Sequence, residues 1–369
     1  MTPLPPSLKI PTARPRTLRL GYLALTDAAP IVVAAELGLF ARHGIAVEIQ
    51  REIGWATIRE KIVYGELDAA QAPAPMLWSA QLGIGCPPTP VLTALVLSRH
   101  GNALTLSRRL WDAGVRDGPS LREFARGRRG ADQLTFGVVF PFSSHHLLLR
   151  GWLQGAGLDP ERDVRIVVVP PAQMYRNLAA GTLDGFCSGD PWNSVAVARG
   201  AGWCPTWSAA ADPGQMEKVL LVTHRFAETR AAVHGALVRA LAEAAAWCDV
   251  PANRPLLADL LADRRHLNLP RSVVAAPLLG RFDDGTGRVE EAPDFFVFHR
   301  DGAGTPSVAK AAALQQALTS AGLLPRDTAP HLPRRLFRDD LHRDFLHTQP
   351  NHDITTAPDL RGVAAHAPA

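Results

Sequence analysis

Three short stretches hold the residue types that a small anion would need. In GWATIREKI, Trp55 stands at the start of a helix whose Ile58 and Ile62 fall one turn apart. Its indole N–H and the free backbone N–H groups of the first turn, including that of Thr57, would converge on one point ahead of the helix. In FPFSSHHLLL, Ser143 and Ser144 are capping residues, and His145 follows where the helix dipole favours negative charge. Lys218, in MEKVL, stands just before a further apolar strand. On spacing alone each has a plainer explanation: a core tryptophan at a helix start, a capping or solvated histidine, an exposed lysine.

Other chemistries find less support. His145 and His146 are adjacent, so they do not share a helix face, and no carboxylate or cysteine lies at ligand spacing; no metal is expected. Gly185-Phe186-Cys187-Ser188-Gly189 fits a thiol version of the nucleophile elbow, but no His/Asp partner is indicated, and no enzyme is expected. Neither a GxGxxG nor a GK(S/T) phosphate loop occurs, so no dinucleotide or ATP cofactor is indicated.

The elements that must position these residues are legible as α/β. LRLGYLAL reads as a buried strand, Asp27 as a cap and Pro30 as a first-turn residue of an apolar helix over 31–40. AVEIQREI is a second strand, the Trp55 helix ends at Gly65, and LDAAQAP is a third strand. Strand, helix, strand, helix, strand at this spacing means parallel βαβ units. After a buried strand at 91–98 and a crossing at 99–107, a second series begins at TFGVVFPF, with a buried strand at 164–170 and another at TLDGFCSGDPW. EKVLLVTHRF returns to the first lobe, and a long helix carries Val233, Leu237, Leu241 and Cys248 on one stripe before Pro251. The expected division is a Pro-rich disordered arm at 1–17, a first lobe at 18–103, a second at 104–216, a return with C-terminal helices at 217–345, and a disordered tail at 346–369.

At 369 residues the chain is long enough for two lobes with real cores. A formal net charge of +4 without a dense Lys/Arg run gives no indication of direct nucleic-acid binding. Lys9, Lys61, Lys218 and Lys310 are the only lysines among 39 basic residues, which singles out a lysine near a cleft. The first twenty residues contain five prolines and no apolar core of signal-peptide length, and no apolar run of about 18 residues occurs. Cys86, Cys187, Cys204 and Cys248 are scattered and read as buried, reduced thiols. A cytoplasmic location is the expectation.

GYLALTDAAP, GLFARHGIAVEI, GWATIREKIVYGELDAAQAPAPM and FPFSSHHLLLRGWLQGAGLDPERDV, in this order, resemble the nitrate- and bicarbonate-binding family, over about Leu18 to Leu261. The resemblance implies a two-lobe periplasmic-binding-protein-like (type II) α/β fold, with a parallel-rich sheet in each lobe and a nitrogen oxyanion in the interlobe cleft. It places ligand contacts at Trp55, Thr57, Asn102, His145, Pro171 and Lys218; transporter-type members carry Gln where this chain has Asn102. Bicarbonate-binding members have an acidic residue in place of Lys218 and add calcium, so the lysine implies nitrate or nitrite and no metal. A planar monoanion wants converging donors and one positive charge, so carboxylates are expected to stay away, and Lys218→Ala is expected to abolish binding with the fold intact. Within the family the chain is most similar to the cytoplasmic nitrate/nitrite sensor branch (NasS type). There, ligand binding releases an RNA-binding, ANTAR-type antiterminator partner (NasT-like) that controls nitrate-assimilation genes. The alternative is an extracytoplasmic substrate-binding subunit of a nitrate/nitrite ABC transporter. At Gly304-Thr305-Pro306 the chain departs from the family's Asn-Phe-Pro motif.

Overall fold

The structure, a computed structural model, describes residues 16–347. The arm expected at 1–17 and the tail at 346–369 lie almost wholly outside the described residues; Leu346 and His347 end a helix, Asp339–His347.

The first βαβ series closes as the apolar runs dictate. β1 (Leu18–Leu23) pairs in parallel with β2 (Val47–Glu52) and with β3 (Ala69–Pro73). α1 (Ala29–Glu36), with Pro30 in its first turn, and α2 (Trp55–Val63) make the crossovers. The helix expected over 31–40 breaks at Gly38, which adopts φ 65°, and resumes for one turn at Leu39–Arg42. The strand expected at 91–98 is likewise split into β4 (Val91–Leu92) and β5 (Val96–His100). Between them the Thr93 hydroxyl donates to the Leu95 carbonyl and accepts from its N–H, a local alternative to ladder pairing.

The second series contains β6 (Asn102–Ser107), β7 (Thr135–Val138), α3 (Ser144–Gly155), β8 (Arg165–Val168), β9 (Gly185–Gly189) and β10 (Gly202–Trp207). β11 (Met216–Thr223) then rejoins the first sheet. α4 (Ala231–Asp249) packs on α1 and buries Leu237, Leu241 and Cys248. A small hairpin of β12 (Arg281–Asp283) and β13 (Val289–Glu291), β14 (Phe296–Val297) and α5 (Val308–Ser320) follow.

Among the described residues the first sheet runs β14-β5-β11-β3-β1-β2, with β4 also on β11, and the second runs β10-β6-β9-β7-β8. Each is parallel where built from βαβ units and antiparallel where the crossing strands enter. β8, expected to be buried, is an edge strand whose Val168 is exposed.

Among the described residues the chain passes between these two sheets at two crossings, between β5 and β6 and between β10 and β11. At the first, His100 and Gly101 both take positive φ, 59° and 85°. The His100 ring faces carbonyl Asp294 O through Nδ1 (2.9 Å), and its Nε2 accepts from the Gly214 N–H in the second crossing (2.7 Å). One imidazole thereby ties the two crossings together. A Cβ at Gly101 would meet the Phe296 ring at 2.4 Å, and φ 85° already disfavours any other residue. Gly101→Ala should therefore cost at least ~1 kcal/mol, read as a lower urea midpoint; an unchanged midpoint would show that this turn tolerates a side chain.

Candidate functional site

Lys218 is wholly buried, as are Trp55, Asn102, His145, Glu217 and Asp27; each is no more than 1% exposed. An ammonium in such a place needs compensating charge. Its Nζ lies 2.6 Å from Glu217 Oε1 and 2.8 Å from Asp27 Oδ2, with the Trp55 ring centroid 5.4 Å away. Burial alone would lower the lysine's pKa, but the two carboxylates outweigh it and hold it above the ordinary value.

This overturns the expectation that carboxylates stay away. Asp27 does not cap α1: it sits in a 3-10 turn, Thr26–Ala28, and its Oδ1 accepts from Gln71 Nε2 (2.7 Å). Gln71 Oε1 in turn accepts from the Leu23 N–H. Strict strand alternation would send Glu217 and Lys218 to opposite faces. The register of β11 against β5 shifts on both sides of Lys218, however, and such an irregularity re-aims side chains, so both reach the same interface.

The second lobe closes over this triad. Asn102, on β6, donates through Nδ2 to Glu217 Oε2 (2.6 Å), and the Ser144 hydroxyl donates to the same oxygen. Ser143 is the N-cap of α3, accepting from the His146 N–H, whereas Ser144 stands inside the helix and serves Glu217. His145 Nε2 lies 3.6 Å from Glu217 Oε1, beyond hydrogen-bond length. Burial lowers its pKa to about 3, so the ring is neutral. Both His145 ring nitrogens, Trp55 Nε1 and Asn102 Oδ1 have no hydrogen-bond partner among the described residues. Buried polar atoms are rarely left so, and at one interface they mark a place for a polar ligand.

Of the six residues expected at the site, Trp55, Asn102, His145 and Lys218 come together. Asn102 Nδ2 already donates to Glu217, and the amide atom left without a partner is the acceptor Oδ1. Thr57 is half-buried in the first turn of α2, and Pro171 is buried at the start of a 3-10 turn; neither enters the hydrogen-bond network around Lys218. His146 turns away, its Nδ1 against the Pro141 carbonyl (2.8 Å). Cys187 is buried and its thiol pKa is pushed well up by burial, which leaves no nucleophilic thiolate. No group of three or more His, Cys, Asp or Glu among the described residues is placed to hold a metal. Glu217, Asp27, Gln71 and Ser144 were missed; the available signal was polar residues inside otherwise apolar strands and turns.

A second contact spans the lobes beside the triad. Thr26 donates from its hydroxyl to Asp190 Oδ2 (2.9 Å) and from its N–H to the Asp190 carbonyl (2.9 Å), while Ser194 donates to Oδ1. Burial pushes the Asp190 carboxyl up to about 7 in spite of these bonds. A hollow of about 860 Å³ lies elsewhere, between Leu148 and Trp152 of α3 and Leu314 of α5, and reaches the site through Ser144.

Two α/β lobes joined by paired crossings, with charged groups of one lobe sealed by polar groups of the other, define a periplasmic-binding-protein-like fold. The chain belongs to the NMT1-like family, which it matches over residues 12–262, and it groups with the NrtA/CmpA-type nitrate- and bicarbonate-binding members. It is 40% identical over 259 residues to the bicarbonate transport ATP-binding protein CmpC of Synechococcus elongatus, covering 70% of this chain but only 39% of that one. The nitrate/nitrite binding protein NrtA of the same species is 30% identical over 356 residues, 93% of this chain and 80% of that one. Among solved structures, the periplasmic nitrate-binding protein NrtA from Synechocystis superposes with a TM-score of 0.86 at 26% identity, covering 90% of this chain and 88% of that one.

Two outcomes follow from the buried charges. Lys218→Met leaves Asp27 and Glu217 buried without their counter-ion, so it should cost about 3–5 kcal/mol in urea unfolding rather than leave the fold intact. Adding Asp27→Asn and Glu217→Gln should restore most of the loss; no recovery would show that the pairing is not what the lysine supplies. Asp190, raised in the folded state, favours folding at low pH, and that advantage is lost as pH climbs from about 3.8 towards about 7. The stability of the wild type relative to Asp190→Asn should therefore decline across that window and level off above it; a flat difference would refute the burial account.

Proposed function

We propose that this protein binds a small planar oxyanion, nitrate or nitrite, between its lobes as the binding unit of an uptake system. The observation that carries this is the sealed Lys218 ammonium, with the Trp55 indole N–H and the His145 ring lacking partners around it. These are cationic and neutral donors drawn from both lobes, and an oxyanion is the ligand class that uses them together. A ligand held from both sides favours the closed arrangement by its differential affinity, which is how a few atoms move whole lobes. CmpC is named for bicarbonate transport and NrtA for nitrate or nitrite binding in the periplasm, and these names favour uptake over sensing.

The sensor reading shares this binding event and adds a cytoplasmic location and an antiterminator partner released by the anion. Its support is the wording of FPFSSH, GFCSGDPWN and EKVL. Titration calorimetry with nitrate, nitrite and bicarbonate, the last with and without calcium, tests the site itself. Nitrate or nitrite binding without metal is the expected result. Calcium-dependent binding of bicarbonate alone would reverse the reading of Lys218, and a nitrate-sensitive pull-down of an antiterminator would favour the sensor.

A further inference from the structure

We propose that Glu217 couples anion binding to proton uptake, so that a monoanion enters this site together with one proton held on the His145–Glu217 pair. The inference rests on the oxyanion reading above and concerns how that same site keeps its charge in balance.

Much of the cleft's donor capacity is already engaged, although Trp55 Nε1 is left without a partner among the described residues. Lys218 Nζ, Asn102 Nδ2 and the Ser144 hydroxyl all end on the one Glu217 carboxylate, and Lys218 also serves Asp27. Glu217 thus occupies with its own oxygens the place where an oxyanion's oxygens would be satisfied. With Glu217 and Asp27 ionised against one ammonium and a neutral imidazole, the cluster carries one net negative charge where nothing is more than 1% exposed; burial raises the Asp27 carboxyl's pKa, against the pull of Lys218. A second negative charge arriving there would meet like charge at close range without solvent screening. Nitrate carries acceptors only and brings no proton to satisfy Glu217, Asp27 or the unpartnered Asn102 Oδ1.

One proton from solvent removes the conflict. His145 has both ring nitrogens free, with Nε2 3.6 Å from Glu217 Oε1. As an imidazolium it would donate from one nitrogen to Glu217 and from the other to the anion, releasing part of Lys218 and Asn102 for the ligand. No covalent bond changes; the proton leaves buffer and rests on the pair. The surrounding groups are consistent with this location. β11 presents Lys218, the turn after β1 presents Asp27, and β3 contributes only the neutral Gln71. α3 presents His145 and Ser144, and β6 the neutral Asn102. The Cys187 thiol on β9 stays protonated through burial, and Asp190 beyond it is engaged by Thr26 and Ser194. His100 and Asp212, on the crossings, feel the Glu217 charge from further away.

The test is calorimetry of the full chain with sodium nitrate, in paired buffers of different ionisation heat, at several pH values between 6 and 8.5. The expected result is uptake of about one proton per nitrate, with affinity falling about tenfold per pH unit. Glu217→Gln keeps the side chain's size and one acceptor and removes the charge; its proton uptake should drop towards zero and its affinity lose the pH slope. Nitrate binding by the wild type with no proton exchange and a flat pH profile would overturn the coupling and leave the oxyanion site standing. Full proton uptake retained in Glu217→Gln would overturn the role given to Glu217. No binding of nitrate, nitrite or bicarbonate at any pH would overturn the site and the coupling together.

Discussion

Three formal charges with no access to water, Lys218 between Asp27 and Glu217, are the constraint on which the interface depends. Each ion would be prohibitively costly alone in such a place, and the set persists because every member has an opposite charge within 3 Å and both carboxylates accept further hydrogen bonds. Gln71 serves Asp27, while Asn102 and Ser144 serve Glu217. The charges belong to the first lobe and the last two donors to the second. Closure therefore both removes the charges from water and supplies the groups that make the removal tolerable.

That division of labour explains the topology around the site. A second lobe can seal a charged cluster only if its elements arrive in fixed register, and the two crossings provide this. β6 starts directly after the positive-φ pair His100–Gly101, so Asn102 is the first residue on the far side and is held against Glu217. The His100 ring bonds to the other crossing at Gly214, which makes the two connections one unit. Thr26 and Asp190 add a second hydrogen-bonded seam beside the ions. Stiff crossings and satisfied seams are also what let a small ligand choose between arrangements of large lobes.

Much of the fold was legible because it rests on local rules. Apolar runs of strand length, separated by helices with glycine ends, specify βαβ units whatever their surroundings, and β1, β2, β3, β7 and β9 fall where such runs stand. Trp55 at the head of α2 and Ser143 as the cap of α3 follow from the same local logic. The errors come where a nonlocal partner overrides it. Val91 to Ser98 looked like one strand and is split at Thr93; β8 looked buried and is an edge; Asp27 looked like a cap and is an ion-pair partner of a lysine far along the chain.

By itself, then, the sequence determined two α/β lobes, the order of their elements, and the family to which the chain belongs, because periodicity and motif order are properties of neighbouring residues. It also marked Trp55, Asn102, His145 and Lys218. Only the tertiary structure decided that the lysine is sealed between two carboxylates, that Asn102 donates to one of them, and that Glu217 shares a side with its neighbour through a local irregularity of β11. The reason is physical: a charge acquires its partners from whatever the folded chain brings within a few ångströms, and separation along the sequence carries no record of that distance.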